Sequence, residues 1–107
     1  MSETADVWYV YEELVRERDE FVLVDCRDDS ERALAVIEGA LSHSREAIES
    51  NPDILDRSKE VVLFCHHGES SALITTFLRE QGFRNVKSLE GGIHAYSEQV
   101  DSDIPTY

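Results

Sequence analysis

The stretch from Val61 to Gln81 constrains this chain more than any other. Val61-Val62-Leu63-Phe64 is a short, unbroken apolar run of β-branched and aromatic residues, the pattern of a strand buried on both faces. Cys65 stands where that strand ends. His66-His67-Gly68-Glu69-Ser70-Ser71 then forms a loop with one glycine, and Ala72 to Gln81 predicts a helix. Open α/β sheets build their sites at the carboxyl ends of strands, facing the N-termini of helices. Free backbone amides and the positive end of the helix dipole stabilise negative charge there. Such surroundings lower a thiol's pKa and supply a nucleophilic thiolate near neutral pH. The plainer alternative at this point is a buried structural cysteine, the commoner fate of a free thiol.

Composition sets the frame. A chain of 107 residues makes one domain with a single modest core. No apolar run approaches transmembrane length, and no basic-then-apolar stretch opens the sequence, so neither a membrane span nor a signal peptide is expected. Residues 1–6 are expected to be a frayed polar terminus, with residues 7–105 forming the domain. Two cysteines, Cys26 and Cys65, make no disulfide scaffold, and a reducing cytoplasm is the simplest compartment. The formal charge of -13 speaks against a nucleic-acid-binding surface, because phosphate contact needs clustered Lys and Arg. Lys59 and Lys87 are the sole lysines. An acidic, lysine-poor surface would suit high salt, though an ordinary soluble acidic protein is the simpler reading.

Along the chain, apolar runs alternate with helical patterns. Val7-Trp8-Tyr9-Val10 predicts a first strand and Tyr11 to Arg18 a helix. Phe21-Val22-Leu23-Val24 predicts a buried strand, followed by a helical turn over Asp28 to Leu34. Gly39-Ala40-Leu41-Ser42 is a weak strand, and short helical pieces flank Pro52. Gly82 suits the position just past a helix C-terminus. Asn85 to Leu89 predicts another strand, and Ile93 to Val100 a last amphipathic helix. This alternation implies an α/β fold: a central, mostly parallel five-stranded sheet with helices on both faces.

Four segments together resemble a known family. Val24-Asp25-Cys26-Arg27 resembles the strand-end Asp-x-Arg of single-domain rhodaneses, the thiosulfate sulfurtransferases. Glu31 to Ala40 is similar to that family's Glu-(Phe/Tyr)-x-x-Gly-His-Ile-x-Gly-Ala, keeping Glu31, Ile37, Gly39 and Ala40. Cys65 to Ser71 resembles the catalytic loop Cys-x-x-Gly-x-(Arg/Ser/Thr)-(Ser/Thr/Ala), and Leu89 to Tyr96 the segment (Leu/Tyr)-x-Gly-Gly-x-x-(Ala/Glu)-Trp. The resemblance covers roughly residues 7 to 105. Ala35-Val36 stands where Gly-His is usual, Arg32 replaces an aromatic, and Tyr96 replaces Trp. These departures touch turn geometry and packing more than chemistry. Glu69 places an acid in the loop that would receive a sulfur donor, and neither Lys nor Arg occurs in that loop.

The resemblance implies a rhodanese-like fold and a sulfurtransferase that moves a sulfane sulfur to a thiol or cyanide through a Cys65 persulfide. Six loop amides after Cys65 would curl around its sulfur as an anion nest, with Gly68 supplying the backbone freedom. Ser70 and Ser71 would cap the helix and add hydroxyl donors. His66, His67, Gly68, Glu69, Ser70 and Ser71 thus form the expected substrate- and persulfide-binding loop, with Asp25 and Arg27 as a supporting strand-end anchor. The donor would be a small molecule such as thiosulfate, or a persulfide on a small molecule or protein. The acidic Glu69 favours a persulfide over dianionic thiosulfate. No cofactor is expected, and the molecule is expected to be a monomer or weak homodimer without nucleic-acid or membrane partners. The alternative is a catalytically weak rhodanese-like sulfur carrier or regulatory binding module.

Rival chemistries are weaker. Phosphatases and arsenate reductases need Cys-x5-Arg, whose guanidinium grips the oxyanion, and here the sixth residue after Cys65 is Ser71. A metal site is not expected either, since His66 and His67 are adjacent and should point apart, and zinc needs converging ligands. His43 and His94 carry no visible partner and suit surface or packing roles. Cys26 ends a strand as Cys65 does, so neighbouring strands would put both thiols at one edge of the sheet. The rhodanese-like cell-cycle phosphatases carry a similar Asp-Cys-Arg strand end whose cysteine pairs with the catalytic one. That resemblance makes Cys26 a candidate redox partner, with a small buried hydrophobe as the simpler role.

Overall fold

The computed structural model describes residues 3–107. Its elements run β1 (Thr4–Ala5), α1 (Val7–Arg16), β2 (Phe21–Asp25), α2 (Asp29–Arg32), β3 (Leu41–Ser42), α3 (Arg45–Ser50), a 3-10 turn (Pro52–Ile54), β4 (Glu60–Phe64), α4 (Glu69–Glu80), β5 (Val86–Leu89) and α5 (Gly92–Gln99). The strands form one five-stranded sheet in the order β1-β5-β4-β2-β3. Every pairing is parallel, so all five carboxyl ends share one edge. Register runs Phe21 beside Glu60 through Asp25 beside Phe64, which brings Cys26 and Cys65 next to each other at that edge.

Side chains alternate across the sheet with the period of two that a strand imposes. From β4, Val62 and Phe64 join Val7, Val10, Ile93 and Tyr96 in a core beneath α1 and α5. Val61, Leu63 and Cys65 join Ile48, Ile74 and Leu78 in a second core beneath α3 and α4. Helices on both faces explain why β2 and β4 read as unbroken apolar runs rather than alternating ones. No helix among the described residues is long and apolar enough to cross a membrane.

Two N-terminal expectations are corrected. Val7 to Val10 is helical, because the Asp6 carboxylate accepts from the Trp8 amide at 2.9 Å and caps α1. Val7, Val10 and Glu13 then fall on one buried face, three residues apart, while Trp8, Tyr9 and Tyr11 stand exposed. The apolar cluster that imitates a strand is therefore a helix start with aromatics outside. The segment before it is not frayed throughout, since Thr4 and Ala5 pair with Ser88 and Leu89. Met1 and Ser2 lie outside the described residues.

Glu60, at the start of β4 and so at the edge of the sheet opposite the cysteines, is buried, as is Glu13 on α1. Tyr9 donates to Glu60 at 2.7 Å, and Arg18 bridges both carboxylates. Burial of such acids is tolerable because each keeps charged or hydrogen-bonding partners.

Candidate functional site

Cys65 follows β4 directly, and the strand's alternation aims its thiol toward the start of α4. The Gly68 amide donates to Sγ at 3.2 Å and the Ser71 amide at 3.3 Å. Gly68 holds φ +100°, the left-handed region, at the N-cap of α4. A glycine occupies this conformation without strain, and it lets the chain double back over the sulfur. Two amides rather than six reach the thiol. The Ala72 amide already bonds the Gly68 carbonyl at 3.2 Å, closing the first turn of the helix.

Ser71 is not the helix cap that its position suggests. Its buried hydroxyl lies 3.3 Å from Sγ and 2.7 Å from the hydroxyl of Ser88 on β5. The thiol therefore touches a serine pair that reaches into the neighbouring strand. Ser70 remains half-buried on the wall of the site.

The loop's carbonyls face the other way, into α5. Ile93 donates to the Cys65 carbonyl at 3.0 Å and His94 to the His66 carbonyl at 3.1 Å. This contact needs Gly92, since a Cβ there would lie 2.5 Å from the Cys65 oxygen and closer still to the His66 oxygen. The amides at the α5 N-terminus thus find partners in the Cys65 loop.

Asp25 and Arg27 form a buried pair beside the site. Arg27 Nε and a terminal nitrogen donate to Asp25 at 2.9 and 2.7 Å. The remaining guanidinium hydrogens go to the carbonyls of Ala35 and Glu31 and to the Tyr107 hydroxyl. All five donors are committed, so Arg27 braces the strand end and has none left for a substrate. Removing either charge would strand the other, at a cost of about 3–5 kcal/mol.

A cavity of about 360 Å³ opens over Cys65. His66, His67, Glu69 and Ser70 line it from the loop, with Cys26, Arg27, Asp28 and Glu31 from the β2 end and Ser44, Arg45 and Glu46 from α3. Arg45 supplies the cation that the loop lacks, and sequence reasoning missed it. The signal was present: Leu41-Ser42 is a parallel strand, so the segment after it must begin at the same edge. Glu69 lines the cavity as well, and as the first residue of α4 it complements the helix dipole.

The histidines correct two expectations. His66 and His67 do not point apart; their rings stack with centroids 3.9 Å apart. His94 is not without partners, lying 5.0 Å from the His67 ring and 6.2 Å from that of His66. Its Nε2 faces Glu98 at 3.4 Å. Tyr107 stacks on the other side of His66 at 3.8 Å, and no sequence pattern announced it. His43 stays outside this group, its amide bonded to the Asp25 carbonyl at 3.1 Å.

Cys26 and Cys65 are both free and buried. The Cys26 thiol donates to the Phe64 carbonyl at 3.1 Å. Burial, together with the charges of Cys65 and Asp25, pushes its pKa up to about 12. Cys26 is thus a poor thiolate at neutral pH.

Comparison with known proteins agrees with this geometry. The chain is 37% identical over 84 residues to thiosulfate sulfurtransferase GlpE of Coxiella burnetii, covering 78% of each protein. It is also 37% identical over 93 residues to rhodanese-like/PpiC domain-containing protein 12, chloroplastic, of Arabidopsis thaliana. That alignment covers 83% of this chain but only 31% of the plant protein, so the chain spans about a third of that relative. A solved structure of a rhodanese-related protein from Thermoplasma volcanium shares the fold, with a TM-score of 0.80 at 24% identity over 92% of this chain and 93% of that one. With the rhodanese-like domain model matching residues 9–99, which include Cys65 and its loop, the chain belongs to the rhodanese-like domain family.

Proposed function

We propose that the protein transfers sulfane sulfur through a persulfide on Cys65. The Cys65 thiolate attacks the outer sulfur of the donor, forming a new S–S bond. The donor's own bond to that sulfur breaks, and the leaving group departs with the electron pair, as sulfite when thiosulfate is the donor. A thiolate or cyanide acceptor then attacks the terminal sulfur and expels Cys65 as thiolate. This is covalent nucleophilic catalysis in two steps.

The observation that carries the proposal is the pair of amides, Gly68 and Ser71, aimed at Sγ from 3.2 and 3.3 Å at the floor of an open cavity. Preorganised amides favour the thiolate before attack and the anionic persulfide after it. The thiosulfate sulfurtransferase name of the Coxiella relative supports the same chemistry. Asp28, Glu31, Glu46 and Glu69 on the cavity wall outnumber Arg45 and the Asp25-paired Arg27. An acidic wall repels a dianion, so a persulfide on a small molecule or a protein is the better donor and thiosulfate the poorer one.

The test is incubation with thiosulfate, and separately with a small persulfide, followed by intact-mass measurement. One added sulfur atom on the protein, lost again on cyanide treatment, is expected. Cys65→Ala should take up none. Sulfur uptake undiminished in Cys65→Ala would refute the assignment.

A further inference from the structure

We propose that His66, His67 and His94 form a three-histidine binding site for a divalent transition-metal ion of the zinc type at the mouth of the Cys65 cavity. One ring nitrogen from each lies within 4.8 Å of those of the other two. In a tetrahedral site with Zn–N bonds of about 2.0–2.1 Å the ligand nitrogens lie about 3.4 Å apart. The gap is therefore of the order of an ångström. His67 can close it, because it is the exposed member of the group and has only to turn out of its stack with His66.

The unsatisfied atoms point the same way. His66 Nε2 and His94 Nδ1 are buried nitrogens with no hydrogen-bond partner. A buried polar atom without a partner calls for an explanation, and an unfilled ligand position is one. The His94 ring is already oriented through its other side, where Nε2 faces the Glu98 carboxylate at 3.4 Å, and the His66 ring is held by its stack on Tyr107 at 3.8 Å. Metal-bound histidines characteristically give their second ring nitrogen to a carboxylate or a backbone carbonyl. His94 has such a carboxylate in place.

Neutral imidazoles suit zinc, copper, nickel and cobalt ions, and three of them leave a fourth position open. Water or a small anion would occupy it. His66 and His67 also line the acid-walled cavity, where an ion would add the positive charge that the loop's own residues do not provide. The site does not depend on the sulfur chemistry and stands whether or not Cys65 forms a persulfide.

The test uses the full chain stripped of metal by a chelator. Zn²⁺ is titrated against a chromophoric competitor, and Co²⁺ is followed by its visible absorption. Wild type should bind one ion per chain. His67→Ala should fold normally, because its ring is exposed, yet lose affinity beyond the about 10–100-fold range typical of outer-shell partners. His94→Ala should behave alike, and Glu98→Gln should lose about tenfold or more. Cys65→Ser should keep the Co²⁺ spectrum. Equal Zn²⁺ affinity in wild type and the His67→Ala/His94→Ala double variant would mean an ion held by surface carboxylates, and would overturn the site. So would an absence of binding up to millimolar ion, or loss of the Co²⁺ bands in Cys65→Ser.

Discussion

The ring of Tyr107 lies flat on the ring of His66, with centroids 3.8 Å apart and planes 10° apart. The same tyrosine's hydroxyl accepts from Arg27 at 2.8 Å and donates to Glu31 at 3.0 Å. One side chain from beyond α5 thus links the Cys65 loop to the bracing arginine that follows β2. Aromatic pairs of this kind contribute about 0.5–1.5 kcal/mol beyond the area they bury. Tyr107→Phe should keep the stack and most of the sulfur-transfer activity. Tyr107→Ala should raise KM more than it lowers kcat and should lower the melting temperature. Identical kinetics and melting for both variants would show that the stack has no part in holding the loop.

Gly92 predicts a sharper loss. It sits at φ +65° with two loop carbonyls where a Cβ would go. Gly92→Ala incurs about 1–2 kcal/mol for the left-handed backbone alone, before any clash. The loop must also retreat from α5, moving the amides off Sγ. Persulfide formation in Gly92→Ala should fall much further than its stability, as measured by thermal melting alongside sulfur uptake. Gly39→Ala, also at positive φ but clear of the site, is the control.

Glu69 lines the cavity and is exposed. Exposed charges act weakly, about 0.2–1 kcal/mol. Glu69→Lys should therefore lower KM for thiosulfate by roughly two- to fivefold at low salt, with a smaller gain in Glu69→Gln and little change for a neutral donor. The benefit should fade at high ionic strength, as screening requires. Thiosulfate kinetics unchanged in Glu69→Lys would leave the residue only its place at the helix start.

Cys26 is the opposite kind of thiol from a nucleophile. With its pKa raised from 9.0 to about 12, it keeps its proton where an unfolded cysteine would lose it. The folded state then binds the extra proton, so this group's contribution to stability is full below pH 9.0 and lost as pH rises toward about 12. In Cys65→Ala protein, iodoacetamide should label Cys26 slowly, and the rate should go on climbing about tenfold per pH unit above pH 9.0, where an ordinary thiol levels off. Cys26→Ala should retain sulfur transfer. After mild peroxide, peptide mapping should find Cys65 oxidised and Cys26 reduced. A linked Cys26–Cys65 peptide would instead give Cys26 a protective role, which the register of β2 and β4 permits.

The parts of the site that were legible in the sequence are those built from consecutive residues. β4, Cys65 and the loop into α4 could be read directly, because burial on both faces leaves an unbroken apolar run and the loop comes straight after it. Asp25 and Arg27 were legible for the same reason. What stayed hidden came from distant segments. Arg45 reaches the cavity from the start of α3, just after a strand of two residues, and Tyr107 reaches His66 from a tail with no periodicity. His94 reads as an ordinary position on an amphipathic helix until α5 is seen to dock its first turn on the loop. At the N-terminus, local apolar density outweighed the Asp6 cap, which is a single side-chain bond and leaves only a faint mark in sequence.

The docking of α5 on the Cys65 loop separates two kinds of information. Seating the Cys65 and His66 carbonyls on the amides of Ile93 and His94 anchors the start of the loop whose Gly68 and Ser71 amides meet the sulfur. That anchoring is written in main-chain atoms and in two glycines, Gly68 and Gly92. It leaves positions 66, 67, 69 and 70 free to be rewritten. Their side chains can trade charge, donor preference or ligands while the nucleophile's own cradle stays as it is. A lineage carrying this fold could therefore change what it accepts sulfur from without rebuilding the place where sulfur is held.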